Sequence, residues 1–540
     1  MTGPADRPDH LAELARRRAA LDDAGRPDAV AKQHARGRLT ARERIARLAD
    51  PAGPSASGVA PVAEAALEPA FAELGAFATP GEAQPGGGTL DGPGDGVVTG
   101  AAWVDGRAVM VASFDFTVLG GSNGTVGMAK IGRLIDRAQR DLLPLVLLCD
   151  GGGHRMQEGL DARHAALGSP ILQRLVDLSG LVPVVVAMMG PGFGVSTTFA
   201  ALADLVVVVR GQGLIGMASA PFVAAATGER LSNEELAGAD AQAANGIVDL
   251  VADDEGEALD AIRAFLGYLP SHADGDLPFT GGPHAPDADA AAVLDAVVPA
   301  DPRRAYDVRD VVAGIADEDT LLELRTAAAP NLVTALVRLE GRPVGVVANQ
   351  PRHLGGALDS GACEKAAHFV ALCDAFGLPL VVLIDLPGFL VGREAERSQL
   401  ARRSGRLMLE LGQATVPLLT VALRKGYGAA YIAMGGGRSN DADLALAWPT
   451  AELCAMPIES AVDIAYRREV EAAEDPAAHR AALVERFRQN VDPYRAAGGV
   501  GIDDVVAPSA TRALLCDALR RAQRRRPPRV PGKRRTISPI

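Results

Sequence analysis

Cysteine is scarce: five in 540 residues, Cys149, Cys363, Cys373, Cys454 and Cys516, with no C-x-x-C pair. That scatter excludes a zinc ribbon and a disulfide framework and makes a reducing cytosol the expected compartment. Long hydrophobic runs are missing as well. The most apolar stretches, such as LVPVVVAMMGPGFGV, are broken by Gly and Pro and fall short of a membrane span. The N-terminal MTGPADRPDHLAELARRR has no apolar core, so a signal peptide is not expected. Basic charge does not dominate: 54 Lys and Arg stand against 67 Asp and Glu, a formal charge of −13, which argues against a general nucleic-acid binder. The one basic stretch, RRAQRRRPPRVPGKRR from Arg520 to Arg535, reads as a solvated tail wrapped on an oligomer, with a partner-binding arm as the alternative. A last absence is chemical. The glycine-rich KGYGAAYIAMGGG, Lys425 to Gly437, looks like an active-site mouth yet holds no His, Cys, Asp, Glu or Ser.

What is present is a duplication. DGRAVMVASFDFTVLGGSNG from Asp105 aligns with EGRPVGVVANQPRHLGGALDS from Glu340 at an offset of 235 residues. In that register Gly120-Gly121 falls on Gly355-Gly356, Lys130 on Lys365, Pro144 on Pro379 and Asp150 on Asp385. After one deletion the offset is 234, and VPVVVAMMGPGFGVST from Val182 falls on VPLLTVALRKGYGAAY from Val416. Internal repeats of this kind mean two copies of one fold.

Each copy reads as an extended strand, a Gly-Gly loop, an amphipathic helix (MAKIGRLIDRAQRD; CEKAAHFVALCDAF) and a buried strand (LPLVLLCD; LPLVVLID). A second helix and another buried strand ending in a glycine turn follow. Short apolar strands alternating with helices predict an α/β fold with a mainly parallel sheet covered on both faces. Residues 1–275 then form an N-terminal domain with a helical arm to about residue 50. Residues 290–540 form a C-terminal one, and the Pro/Gly/Asp-rich Pro270–Ala290 links them. Residues from 51 to about 95 are rich in Pro, Gly and Ala and are expected to be irregular.

Two strands per copy end in glycine turns: DGGGHR at Asp150 and GPGFGVS at Gly190, then DLPGF at Asp385 and KGYGAAY at Lys425. Open α/β sheets bind ligands beyond the carboxyl ends of their strands. Glycine lets the backbone approach a ligand, and the helix behind such a turn leaves N–H groups unpaired. Two converging N–H groups make an oxyanion hole, so the backbone itself can be the catalyst. Asp150 and Asp385 are expected to cap these turns rather than to react. His154 is a candidate general base or a contact to a polar acyl group, although a lone loop histidine is more often structural.

These motifs carry a resemblance. KQHARGRLTARERIARLAD, GDGVVTG (Gly94), FDFTVLGGS (Phe114), RMQEG (Arg155), TGE (Thr227), GYLPSH (Gly267), GRPVGVVANQP (Gly341), CDAFGLPLVVLIDLPGFLVG (Cys373), ADLALAWPTAEL (Ala442) and DPYRAAGGVGIDDVVAPSATR resemble the carboxyltransferase subunit of biotin-dependent acyl-CoA carboxylases, of the propionyl-CoA carboxylase β type. The resemblance implies two tandem crotonase-like domains, a homohexamer built as a trimer of dimers, and carboxyl transfer from carboxybiotin to the α-carbon of an acyl-CoA. It implies amides of Gly194 and Val195 on the thioester oxygen, with Gly152, Gly153 and His154 nearby. Amides of Ala429 and Ala430 would face the biotin ureido oxygen beside Gly428 and Tyr431, and Ile432 would border the acyl pocket. No Met-Lys-Met biotinylation site and no ATP-binding carboxylase region is found, so biotin is expected on a separate carrier with a biotin carboxylase as partner. No metal, nucleic acid or membrane is called for. A biotin-dependent malonyl-type-CoA decarboxylase and a non-catalytic ring paralogue are the alternatives.

The sequence departs from the family pattern in several places. Its D-S-G-G-A-R becomes Asp150-Gly151-Gly152-Gly153-His154-Arg155, its A-G-G-A becomes Phe193-Gly194-Val195-Ser196, and its G-G-A-Y becomes Gly428-Ala429-Ala430-Tyr431. Its M-G-x-x-G-A becomes Met456-Pro457-Ile458-Glu459-Ser460-Ala461, and the G-P before the N-domain lid helix becomes Ala220-Pro221. Val195 matters most, because a β-branched residue resists positive φ. Either the turn is ordinary there or the acyl pocket is reshaped.

Overall fold

The protein is described by a computed structural model covering residues 9–51, 70–80, 92–160, 162, 170–281, 284–301, 304–525 and 535–538. The chain divides into two compact units, Met1–Gly267 and Tyr268–Ile540. In the first unit the strands are β1 (Phe71–Leu74), β2 (Val97–Val104), β3 (Arg107–Phe114), β4 (Leu145–Gly151), β5 (Val184–Phe193), β6 (Leu205–Val209), β7 (Leu214–Gly216) and β8 (Leu250–Ala252). In the second they are β9 (Leu322–Leu324), β10 (Leu332–Leu339), β11 (Arg342–Asn349), β12 (Leu380–Leu386), β13 (Leu418–Tyr427), β14 (Leu444–Ala447), β15 (Glu452–Cys454) and β16 (Asp504–Val505).

Among the described residues each unit holds one eight-stranded sheet, and the two share one strand pattern. The orders are β1-β2-β3-β4-β5-β6-β8 with β7 on β5, and β9-β10-β11-β12-β13-β14-β16 with β15 on β13. The first three strands of each are antiparallel and the rest parallel. These are the tandem crotonase-like domains implied by the motifs. The sequence offset of 235 relates β3 to β11 and β4 to β12 end for end, and the offset of 234 relates β5 to β13.

The central strands form because their residues are apolar on both faces. LVLLCDG of β4 and LVVLIDL of β12 are buried at every position, as parallel strands between helical layers must be. The helix Thr125–Asp141 buries Ile131, Leu134, Ile135 and Ala138, the i, i+3, i+4, i+7 stripe of an amphipathic helix, against the first sheet. Its counterpart Ser360–Phe376 reads as amphipathic too, but it is buried on nearly every face. The helix Leu400–Gln413 and the C-terminal residues 535–538 cover its outer side. Polar residues on it meet partners there: Arg406 bonds Glu364, and His368 Nδ1 meets the carbonyl of Ser538 at 3.1 Å. Lys130 and Lys365 do the same structural work. Lys130 Nζ donates to the carbonyls of Gly94 and Val97 at 3.0 and 2.5 Å. Lys365 Nζ donates to those of Arg325, Ala328 and Leu332 at 2.8, 2.9 and 2.7 Å.

Three expectations change. Part of the stretch expected to be irregular forms β1, an edge strand paired antiparallel with β2, while residues 52–69 and 81–91 lie outside the described residues. The basic tail, where described, folds back on its own unit: Arg525 donates to the carbonyls of Asp374 and Ala375, and Arg535 pairs with Asp374 at 3.1 Å. Asp150 and Asp385 do not cap turns. They are buried ion-pair partners, treated below. The arm contains helices His10–Leu21, Pro27–His34 and Ala41–Leu48, the last opened by a capping box between Thr40 and Glu43.

Candidate active site

The strand ends carry the site. In the first unit β4 and β5 run side by side, with Gly151 opposite Gly192. Gly153 (φ 89) then turns so closely past Phe193 that a Cβ on it would sit 3.2 Å from the Phe193 carbonyl oxygen. The DGGGHR turn therefore lies against the turn that opens the short helix Val195–Ala201. Gly152 donates its N–H to Gly120 at 3.1 Å, and Asn123 and His154 pair as a parallel bridge. His154 is exposed. Glu158 accepts from the Thr125 N–H at 2.7 Å and from Arg155 at 2.8 Å. Burial raises the pKa of this carboxyl, but the Thr125 and Arg155 bonds outweigh it and hold the group below its ordinary range. It is an ionised anchor, not a proton donor.

The left-handed backbone conformation falls on Gly194 (φ 69, ψ −112). Val195 is not among the positive-φ residues; it opens the helix and packs, half-buried, against the core of its unit. The turn is thus ordinary at Val195, and the strain expected there does not arise. The Gly194 N–H is spent on the Gly216 carbonyl at 3.2 Å. Gly194 supplies conformation rather than a donor. Among the described residues no acceptor meets the next two amides, those of Val195 and Ser196.

The second unit repeats this geometry. Leu386 lies opposite Gly426, Gly388 (φ 133) turns past the strand end, and Gly428 (φ 68) opens the helix Gly428–Ala433. The amides of Ala429 and Ala430 likewise meet no acceptor among the described residues. Gly194 and Gly428 occupy one repeat position, so Val195 and Ser196 correspond to Ala429 and Ala430. Of the two amides read from sequence in the first unit, that of Gly194 is already bonded and that of Val195 is not. Tyr431 is half-buried over Gly426, Gly436 and Gly437, and burial pushes its hydroxyl up to about 12. Ile432 is 53 % exposed. Among the described residues no group of three or more His, Cys, Asp or Glu is placed to hold a metal, and no helix is long and apolar enough to cross a membrane.

Two matched sheets, each with a pair of unbonded amides at a strand-to-helix turn, define a tandem crotonase-like enzyme. Residues 32–537 match the Carboxyl transferase domain family, and the chain belongs to it. It is 38% identical over 522 residues to the propionyl-CoA carboxylase, carboxyltransferase subunit, of Haloferax mediterranei, covering 96% of this chain and 97% of that one. It is 39% identical over 538 residues to the propionyl-CoA carboxylase beta chain of Saccharopolyspora erythraea, covering 96% and 94%. The crystal structure of transcarboxylase 12S, described as a hexamer assembly with methylmalonyl-coenzyme A and methylmalonic acid bound, matches at a TM-score of 0.88 with 35% identity and all of both chains covered. The chain is thus a carboxyltransferase subunit of the biotin-dependent acyl-CoA carboxylases.

Proposed function

We propose that this chain moves carboxylate from carboxybiotin, borne on a separate carrier, to the α-carbon of an acyl-CoA through an enolate held by backbone amides. The observation that supports it is the pair of unspent amides at the same repeat position in both units. In this reading Val195 and Ser196 hold the thioester oxygen as the α-proton leaves, and Ala429 and Ala430 hold the biotin ureido oxygen. The Cα–H bond breaks and a Cα–carboxylate bond forms. Carboxybiotin supplies the carboxylate as its N–carboxylate bond breaks, and the biotin nitrogen left behind takes up the proton, so no side-chain base is needed. Held donors of this kind are worth roughly 3–4 kcal/mol for each developing oxyanion. The biotin-side turn fits such a group: Ala429 is exposed and carries only a methyl beside its N–H. Ile432 borders the acyl chain, and His154 stands at the rim of the acyl-side turn.

The assembly is a homohexamer in a reducing cytosol; light scattering showing a monomer of 55.7 kDa would contradict it. The deciding assay supplies the purified chain with a biotin carboxylase, a biotinylated carrier, ATP, bicarbonate and a panel of acyl-CoAs, read by mass gain of one CO2. Carboxylation without the carrier refutes the proposal. Net loss of CO2 from a malonyl-type CoA onto the carrier would instead assign the reverse direction.

A further inference from the structure

The N-terminal arm reaches the strand end that leads into the acyl-side turn. Asp150, next to last in β4, is fully buried. Its Oδ2 accepts from Arg44 Nη2 at 2.8 Å and from Gln33 Nε2 at 2.9 Å, and its Oδ1 lies 3.4 Å from Arg38 Nη1. Arg44, equally buried, is itself held by Glu255 through Nε at 2.8 Å and Nη2 at 2.6 Å. The backbone of Asp150 is pinned as well: a Cβ on Gly121 would sit 2.1 Å from its carbonyl oxygen. With side chain and carbonyl both fixed, the following Gly151–Gly153 turn has one place to go, against Phe193 and the amides beyond it.

The second unit fixes the matching aspartate with a different part. Asp385 Oδ2 accepts from Arg424 Nε at 3.0 Å, and its Oδ1 from the Lys425 N–H at 3.1 Å. Gly356 presses on its carbonyl as Gly121 does, with a Cβ there 2.3 Å from the oxygen. Arg424 lies on β13, four residues before Gly428, and its repeat counterpart is Gly190. A Cβ at Gly190 would lie 1.8 Å from Asp150 Oδ1 and 3.1 Å from Arg38 Nη1. One half thus carries its guanidinium on the catalytic strand. The other leaves that position bare and brings the guanidinium from a helix more than a hundred residues earlier in the chain.

We propose that Arg44 and Arg424 are positioning residues, each acting through a strand-end aspartate to fix the turn of its own half-site, so that the arm governs the acyl-CoA side and Arg424 the biotin side. The inference rests on the assignment of the two halves proposed above. Neither arginine needs to touch substrate. A forked guanidinium serves two acceptors at once, which the single ammonium of lysine does not reproduce.

The test uses Arg44→Lys and Arg424→Lys, which keep the charge, and Gln33→Leu, which removes one donor to Asp150 while leaving its ion pair. KM is measured separately for acyl-CoA and for the biotinylated carrier in the full complex. Arg44→Lys is expected to raise the KM for acyl-CoA about tenfold and leave that for the carrier unchanged. Arg424→Lys should do the reverse, and Gln33→Leu should follow Arg44→Lys more weakly. If stability falls while neither KM moves, or if kcat/KM falls by the same factor for acyl-CoA and for the carrier, the arginines are structural and the inference is overturned. If Arg44→Lys does not fold, an acyl-CoA KM unchanged in Gln33→Leu overturns it. Effects exchanged between the two arginines would retain the anchors and overturn the assignment of the halves.

Discussion

Gly194→Ala tests the backbone site with little else disturbed. Gly194 sits at φ 69 and ψ −112, and a Cβ built on it meets nothing within 4 Å. The added methyl therefore acts through the backbone alone. Holding a non-glycine residue in such a region costs of order 1–3 kcal/mol. Against relaxation stand the Gly194 N–H on Gly216, and Thr197 Oγ1, whose single proton goes to the carbonyl of Gly192 at 2.6 Å or of Gly216 at 2.8 Å and which accepts from the Gly216 N–H at 2.9 Å. At about 1 kcal/mol net for each such bond, this clamp is worth roughly what the strain costs. The turn should relax in part and tilt the Val195 and Ser196 amides. Losing one oxyanion donor outright costs about 100- to 1000-fold in kcat, so a partial tilt should cost about 10- to 100-fold, equally for every acyl-CoA, with KM little changed. Gly428→Ala should do the same from the other half, where the nearest atom to a new Cβ is the Ala455 carbonyl at 3.4 Å. Steady-state kinetics over several acyl chains, with circular dichroism to confirm folding, reads the outcome. A folded Gly194→Ala protein with unchanged kcat would move the oxyanion site elsewhere. A changed chain-length preference without a uniform fall would mean the turn shapes the pocket instead of donating to the substrate.

Asn123→Leu should stabilise the first unit: Asn123 is 4 % exposed, neither side-chain polar atom has a partner among the described residues, and its repeat counterpart is the buried Leu358. Relieving an unsatisfied buried amide is worth about 1–3 kcal/mol, and a denaturation midpoint that does not rise would contradict it. Val195→Gly should lower stability by about 1–2 kcal/mol through lost core contact while both amides remain. A uniform 100-fold loss of kcat/KM across acyl-CoAs would show instead that a donor had been disturbed. Lys365→Met should cost about 3 kcal/mol or more in urea unfolding of the second unit, because three carbonyls lose their donor; a change below about 1 kcal/mol would refute that role.

The duplication was legible because residues with narrow backbone or burial requirements punctuate it. Gly121 and Gly356 press on matching carbonyls, Lys130 and Lys365 hold matching loops, and Gly194 and Gly428 make the same left-handed turn. Less was legible where distant segments decide. The stripe in CEKAAHFVALCDAF predicts one wet face, but the C-terminal residues cover it. Phe71–Leu74 becomes a strand through pairing with β2, not through local propensity. Asp150 sits before a glycine turn, which suggests capping, whereas its partners come from the arm. Sequence shows which turns are glycine-rich but not which amide is already spent, as that of Gly194 is on Gly216.

Because the two halves share one backbone pattern, a position that differs between them answers to something other than the backbone. Gly190 and Arg424 differ because their aspartates are held from different directions. Phe193 and Leu214 face each other's strands where the second unit has Tyr427 and Glu452. The Tyr427 hydroxyl bonds the Glu452 carboxylate, immediately before Gly428, and both burial and that carboxylate push the phenol pKa upward. At these two registers the first unit therefore offers only hydrocarbon, and the second a neutral hydroxyl tied to a carboxylate. Nothing in the shared turn geometry requires that contrast. It follows if one half receives an acyl chain and the other a polar ureido ring, a difference written in side chains on a backbone that both halves keep.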